Sequence, residues 1–458
     1  MSRPQPAFLS TIARTGLAGA ALGLLVAATA PAYAATGDAA RYVFVPNRAS
    51  SDVAVIDSAR DEVIALVEFG KLPHQVIISL ACIKLIASNT GDDTITIFDL
   101  ESLVAQATLK LDIEPEHMEL SPDGLLLAVG NIGAGTVSLV SLQDNAERAR
   151  VTGLFSPHNL TFSPDGSRLY VANLAADHVS VIDVAKGAVI DEIPVAPAAA
   201  LAAKGQGSDA EYQGIINVTT TPNGKLGFAA HGEGNTMAVI DLNAGKKIKD
   251  IELGELPWRA YTTGDGRHML VPNNGDRSIS VISTESLEVV ATLPGAEDMT
   301  GINSAWLDTT AFVVSRGENK ALVIDLTTMQ SAGEIALPGT PETAVTTPDG
   351  TKVYVALSES NQVAVIDAAT RRVIKLIDGV GEEPWGVTMV GAINYCHEES
   401  ARSAPAIAVS AGWPGSGCWR WRERRNLRWR EPPRSWQSRR SQRSAMAMRP
   451  PATQCRGS

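Results

Sequence analysis

Three histidines, His74, His117 and His158, follow one another at intervals of 43 and 41 residues, each within two residues of a proline and at the head of a strand-like run. Imidazole ligates transition metals and haem iron and changes charge near neutral pH, so a set that repeats with the chain could hold a metal ion, a haem or an anionic ligand. A competing origin needs no ligand. A Pro-His pair that hydrogen-bonds a neighbouring loop would recur simply because the repeat recurs. In later repeats the same place carries Trp258, after Leu256-Pro257, and Trp385, after Glu383-Pro384. Their indole faces could stack on a flat ligand or serve as packing. Arg259, Arg277 and Arg316 lie close by in sequence and could each take a carboxylate through two parallel hydrogen bonds, or stand solvated on loops.

Other chemistry is poorly represented. The chain has no C-x-x-C-H, G-x-S-x-G or H-E-x-x-H and no phosphate-binding loop. A lactonase-like hydrolase would need a cluster of carboxylates around a metal, which the spacing does not reveal.

The elements that position these residues are read from the repeat. The pattern V-x-V-I-D ends at Asp57, Asp99, Ser141, Asp183, Asp241, Ser283, Asp325 and Asp367, at intervals of 42, 42, 42, 58, 42, 42 and 42 residues. A period of this length with four strand-sized runs per unit predicts an all-β fold of propeller blades. Between the first two runs of a unit stands a turn such as Ser163-Pro164-Asp165-Gly166, with proline preset for the turn and glycine free to take positive φ. Eight innermost strands are expected, near His74, His117, His158, Gly214, Trp258, Gly301, Thr343 and Trp385. The chain opens on a second strand at Tyr42, so 385–390 is predicted to pair beside 42–46 and close an eight-bladed ring. A seven-bladed ring is the alternative if one terminal unit is left out.

The units L-Y-V-A-N, V-S-V-I-D and F-S-P-D-G resemble the YVTN family of β-propeller repeats over about residues 41 to 391. More distantly the chain is similar to the haem d1 propeller of cytochrome cd1 nitrite reductase and to propellers associated with quinoprotein dehydrogenases. The resemblance implies a scaffold, and the d1 likeness implies His74, His117, His158 and His231 as haem or metal ligands.

Strands of a blade alternate in direction. The loops between strands two and three therefore share a face with the links from strand four to the next blade, which puts His74, His117, His158, His178 and His231 on one side. The aspartates ending each third strand read as blade-fastening acceptors. The long interval of 58 residues holds an insert, APAAALAAKGQGSDAEYQ, emerging on that same face as a lid, a docking loop or a tolerated insertion. In 79–85, SLACIKL replaces S-P-D-G-x-x-L. Cys82 is expected at the positive-φ position, implying either a rebuilt turn or a local reading error, and a Cys82–Cys396 disulfide is conceivable in an exported protein.

The ends differ in composition. Residues 1–34 read as a signal peptide, with Arg3 and Arg14, an apolar run from Leu17 to Ala30 and Ala32-Tyr33-Ala34 as cleavage site, so a periplasmic or secreted location is expected. Residues 398–458 hold 13 Arg, no Lys, five Trp and four acids, a net +9 against −20 for the remainder. That is the composition of an out-of-frame reading of a GC-rich gene, and it is expected to be disordered, with the natural terminus near His397. The propeller is placed at 35–397. Its acidic charge argues against nucleic acid, and no segment is apolar enough to span a bilayer. The functional expectation is a monomeric, exported, non-catalytic scaffold for a small ligand or protein partner, accessory to a redox system. Alternatives are a redox propeller carrying haem or a transition metal, and a lactonase-like hydrolase.

Overall fold

The computed structural model describes residues 39–197, 213–221, 223–305 and 309–391. The expected signal peptide, most of the insert, Cys396 and the Arg/Trp-rich stretch lie outside them. The described chain forms eight four-stranded antiparallel sheets. Blades 1 to 7 span 73–110, 115–151, 157–194, 215–252, 261–294, 299–336 and 341–377. Blade 8 joins the two ends of the described chain: Tyr42–Asn47, Asp52–Asp57 and Glu62–Glu68 are completed by Thr388–Met389. Val43 pairs with Met389, Phe44 with Thr388, and Pro384 bridges Asn47. The ring has eight blades, and closing it removes the free innermost sheet edge.

Burial explains the strand sequences. The second and third strands are buried on both faces because each blade is sandwiched between two others, so they read as continuous apolar runs. In blade 8, Val53 and Val55 pack toward blade 1, while Ala54 and Ile56 pack toward blade 7. Eight apolar clusters result, one at each junction between blades. Outermost strands alternate instead, as in Arg372–Ile377, where Arg372, Ile374 and Leu376 are exposed.

Two local readings are corrected. The aspartates ending the third strands do not fasten one blade to another. Asp325 accepts from the Thr327 and Thr328 amides, and Asp367 from that of Thr370, so each closes the turn of its own outer hairpin. Hydrogen bonds from the Thr327 and Thr370 hydroxyls, joined by these amides, hold both carboxyls below the usual carboxylate range. In the irregular turn of blade 1 the left-handed residue is Ile83 (φ 52°), not Cys82. The turn is rebuilt with the Cys82 amide donating to Ser79 Oγ at 3.2 Å, and Cys82 is buried in the cluster between blades 1 and 2.

The face expected to carry the histidines is built from corners. The links into blades 1, 2, 3 and 5 and into the closing strand each place a left-handed residue before a proline: Leu72, Glu114, Ser156, Leu256 and Glu383. Such conformations cost about 1 kcal/mol each for non-glycine residues. A register shift then follows between Pro73 and Val76, Pro115 and Met118, and Pro157 and Leu160. Bulges of this kind re-aim the side chains they contain, and here those are the side chains at the mouth of the central channel.

Candidate functional site

Strand pairing gives each innermost strand a common reference. Pro73, Pro115 and Pro157 pair with Asn89, Asn131 and Asn173. One residue beyond the proline stand His74, Glu116 and His158, so His117 is not equivalent to the other two histidines; Glu116 is. His117 sits one place further on. At that further place blades 1, 3 and 4 carry Gln75, Asn159 and Asn217, whose side-chain carbonyls accept the amides of Met118, Val218 and Ala260 and tie each inner strand to the next. Blade 5 has Arg259 there. His117 and Arg259 thus both replace fastening amides, and they meet across the channel, Arg259 Nη2 lying 3.0 Å from His117 Nε2.

The side chains converge from blades 8, 1, 2, 3 and 5. The rings of Trp385 and His74 are 5.9 Å apart, His74 and His117 5.3 Å, His117 and His158 4.4 Å, and His158 and Trp258 6.2 Å. Arg48, in the loop between strands two and three of blade 8, lies 4.3 Å from the Trp385 centroid as a cation–π pair. His74 Nε2 is 3.5 Å from Glu116 Oε1, and His117 Nε2 3.9 Å from the same oxygen. His158 Nδ1 donates to the Ile216 carbonyl at 2.9 Å.

Electrostatics follow from burial. His74 is pushed down to about 3 by desolvation, helped by Arg48, and His158 to about 3 by desolvation and Arg259. Both imidazoles are therefore neutral at physiological pH. Burial raises Glu116 above its ordinary range despite the two guanidiniums. Two permanent positive charges thus face one carboxyl whose ionised form is disfavoured.

The remaining candidates are placed elsewhere. His231 pairs with Ile215 at the position that holds Asn173 in blade 3. It is fully buried, with Nε2 donating to Asp177 at 3.0 Å and Nδ1 accepting the Gly234 amide at 2.8 Å. Both nitrogens are engaged, so the geometry gives His231 the work of the strand-end asparagines. His231→Ala should lower stability by about 2–4 kcal/mol. His231→Asn should recover most of that loss, and neither change should alter ligand binding; thermal melts with binding assays check this. His178 begins a third strand against Phe155. Arg277 pairs with Glu297, and Arg316 is held bidentately by Asp298, so the carboxylates those arginines bind are internal. Sequence reasoning missed Glu116 and Arg48. Glu116 was signalled only by the proline register, and Arg48 by nothing local.

The fold and this site define a class: an eight-bladed β-propeller with a nitrogen-rich site at one mouth of its channel. No protein-family model matches the chain, and no curated protein matches it. Solved structures do. The dihydro-haem d1 dehydrogenase NirN in complex with DHE is similar over 77% of this chain and 76% of its own, with 19% identity and a TM-score of 0.63. The hydrazine synthase of Kuenenia stuttgartiensis is similar over 65% of this chain and 96% of its own, at 20% identity and a TM-score of 0.50. The Cps50 (Swd1) propeller domain of Myceliophteria thermophila gives 64% and 96%, 15% identity and 0.52. At these identities the likeness is one of fold.

Proposed function

We propose that this chain is an exported binding propeller, built of YVTN-type repeats, that holds a flat anionic small molecule over the channel mouth as an accessory to an extracytoplasmic redox system. The observation that carries the reading is the convergence of Trp385, Trp258, Arg48 and Arg259 around three imidazoles. Two indoles supply apolar surface for a planar ring system, and two guanidiniums supply charge for its carboxylates. The neutral imidazoles of His74 and His158 supply acceptors without adding positive charge. Export is supported by the sequence of residues 1–34.

A second reading, a redox propeller carrying haem or a metal, draws on one feature. His74 Nδ1 is buried without a hydrogen-bond partner, and His158 Nε2 is left as an acceptor once Nδ1 donates to Ile216. That NirN, a fold neighbour, is a dihydro-haem d1 dehydrogenase in complex with DHE makes a tetrapyrrole a suitable test ligand. The lactonase-like reading finds no support, since the triad suited to a metal among the described residues has a single carboxylate.

Protoporphyrin and pyrroloquinoline quinone, both flat polycarboxylates, are the probes. Binding followed by tryptophan quenching should be saturable. Trp385→Ala and Arg48→Gln should each weaken it about 10-fold or more, consistent with about 1–2 kcal/mol per stacking or charge-assisted contact. Equal affinity of both variants and the parent protein would remove the mouth as the binding site.

A further inference from the structure

The carboxylate of Glu116 and the Nε2 atoms of His117 and His158 offer ligand atoms that all lie within 4.8 Å of one another. The Ile216 carbonyl can only accept a hydrogen bond, so His158 carries its proton on Nδ1 and presents a lone pair at Nε2. Arg259 can only donate, so His117 Nε2 presents a lone pair as well. The two Nε2 atoms, both acceptors in these tautomers, stand 3.3 Å apart. With metal–nitrogen bonds of about 2.0–2.1 Å, two ligands of a tetrahedral ion stand about 3.3–3.4 Å apart. The separation of the two imidazoles is that of a tetrahedral edge. The His158 Nδ1–H···O=C bond is also the outer contact that commonly orients a ligating imidazole.

We propose that Glu116, His117 and His158 bind a borderline transition-metal ion of the zinc or copper(II) class, and that Arg259 is a built-in cation that the metal displaces from His117. Nitrogen donors with one carboxylate select such ions over Mg2+ and Ca2+, which favour all-oxygen shells. His74, 3.5 Å from Glu116 Oε1, positions the carboxylate and is not a ligand. A four-coordinate ion held by these three residues would keep one position for an anionic group, such as that of the ligand proposed above. The inference uses the location of that site but does not depend on the flat ligand.

The test uses purified, chelator-treated protein titrated calorimetrically with Zn2+, with Mg2+ and Ca2+ as controls. One equivalent of Zn2+ should bind, and neither control ion should. His117→Gln and His158→Gln should each weaken binding at least 100-fold, whereas His74→Gln should change it less than 10-fold. Arg259→Gln should tighten binding about 10-fold, because the competing cation is gone; a merely structural arginine would leave affinity unchanged or reduce it. Circular dichroism of each variant checks the fold. Absence of stoichiometric Zn2+ in both the parent protein and Arg259→Gln would overturn the proposal, as would affinity insensitive to His158→Gln or weakened by Arg259→Gln. Loss of Zn2+ binding with protoporphyrin binding intact would defeat this inference alone. Zn2+ binding with no flat ligand bound would defeat the functional reading alone.

Discussion

A chain ending at Ile377 should not fold cooperatively, whereas one ending at Gly391 should match the full-length protein. The shorter chain loses Thr388–Met389, the innermost strand of blade 8. It also loses Val380, Val387 and Met389 from the cluster between blades 7 and 8. Three buried apolar side chains represent about 1.5–3 kcal/mol each. Severed with them are the main-chain bonds from Arg48 to Glu383 and from Trp385 to Pro46, at about 0.5–1.5 kcal/mol each. The sum reaches about 6–12 kcal/mol, comparable to the whole stability of a typical domain. The second strand, Tyr42–Asn47, stripped of its inner neighbour, would then be an exposed apolar edge prone to association. Guanidinium unfolding and light scattering on the two truncated chains provide the measurement. A cooperative, monomeric transition for the chain ending at Ile377 would show that ring closure contributes little.

The second large effect is acid destabilisation that begins well above the carboxylate range. His74 and His158 have folded values near 3 against an ordinary value of 6.5. Below pH 6.5 the unfolded chain therefore binds protons that the folded chain refuses, and stability falls as pH falls. The contribution is complete above pH 6.5 and declines until the folded value near 3 is reached. Each histidine contributes a slope of up to about 1.4 kcal/mol per pH unit. From pH 6.5 to 4.5 the pair would remove about 5 kcal/mol. The turn aspartates Asp325 and Asp367, whose values are lowered by hydrogen bonds, act below that window. Replacing both histidines with glutamine should flatten the profile between pH 6.5 and 4.5 while leaving the steeper loss at lower pH. Parallel profiles for parent and double variant would mean that the two imidazoles are not held neutral by burial.

Much of the fold was legible because it is periodic. A strand sandwiched between two blades must be apolar on both faces, and an outer strand on one, so each unit announces its strands in order. The V-x-V-I-D spacing counted the blades, and a chain opening on a second strand required the closing strand to come from the other end. Histidines near the start of inner strands marked the end of the channel at which His74, His117 and His158 converge, for the same reason. His231 shows where the pattern misled: an imidazole at a strand end was read as a ligand, yet its two nitrogens bond Asp177 and Gly234 as a strand-end asparagine would. Residue type alone does not distinguish the two.

What the sequence by itself determined is thus the repeat, the number of blades, the closure and the side on which the histidines lie, all consequences of patterns within one repeat length. Only the tertiary structure decided which side chains form the site. Glu116 takes the place of a histidine because Pro115 pairs with Asn131 as Pro73 and Pro157 pair with Asn89 and Asn173, which leaves His117 one residue further along its inner strand than His74 and His158, and a one-residue shift changes where a side chain points. His117 and Arg259, separated by 142 residues, meet because the inner strands of blades 2 and 5, three places apart around the ring, both line the channel. Arg48 reaches the same mouth because the ring closes beside Trp385. These contacts run between blades, and no spacing within a blade encodes them.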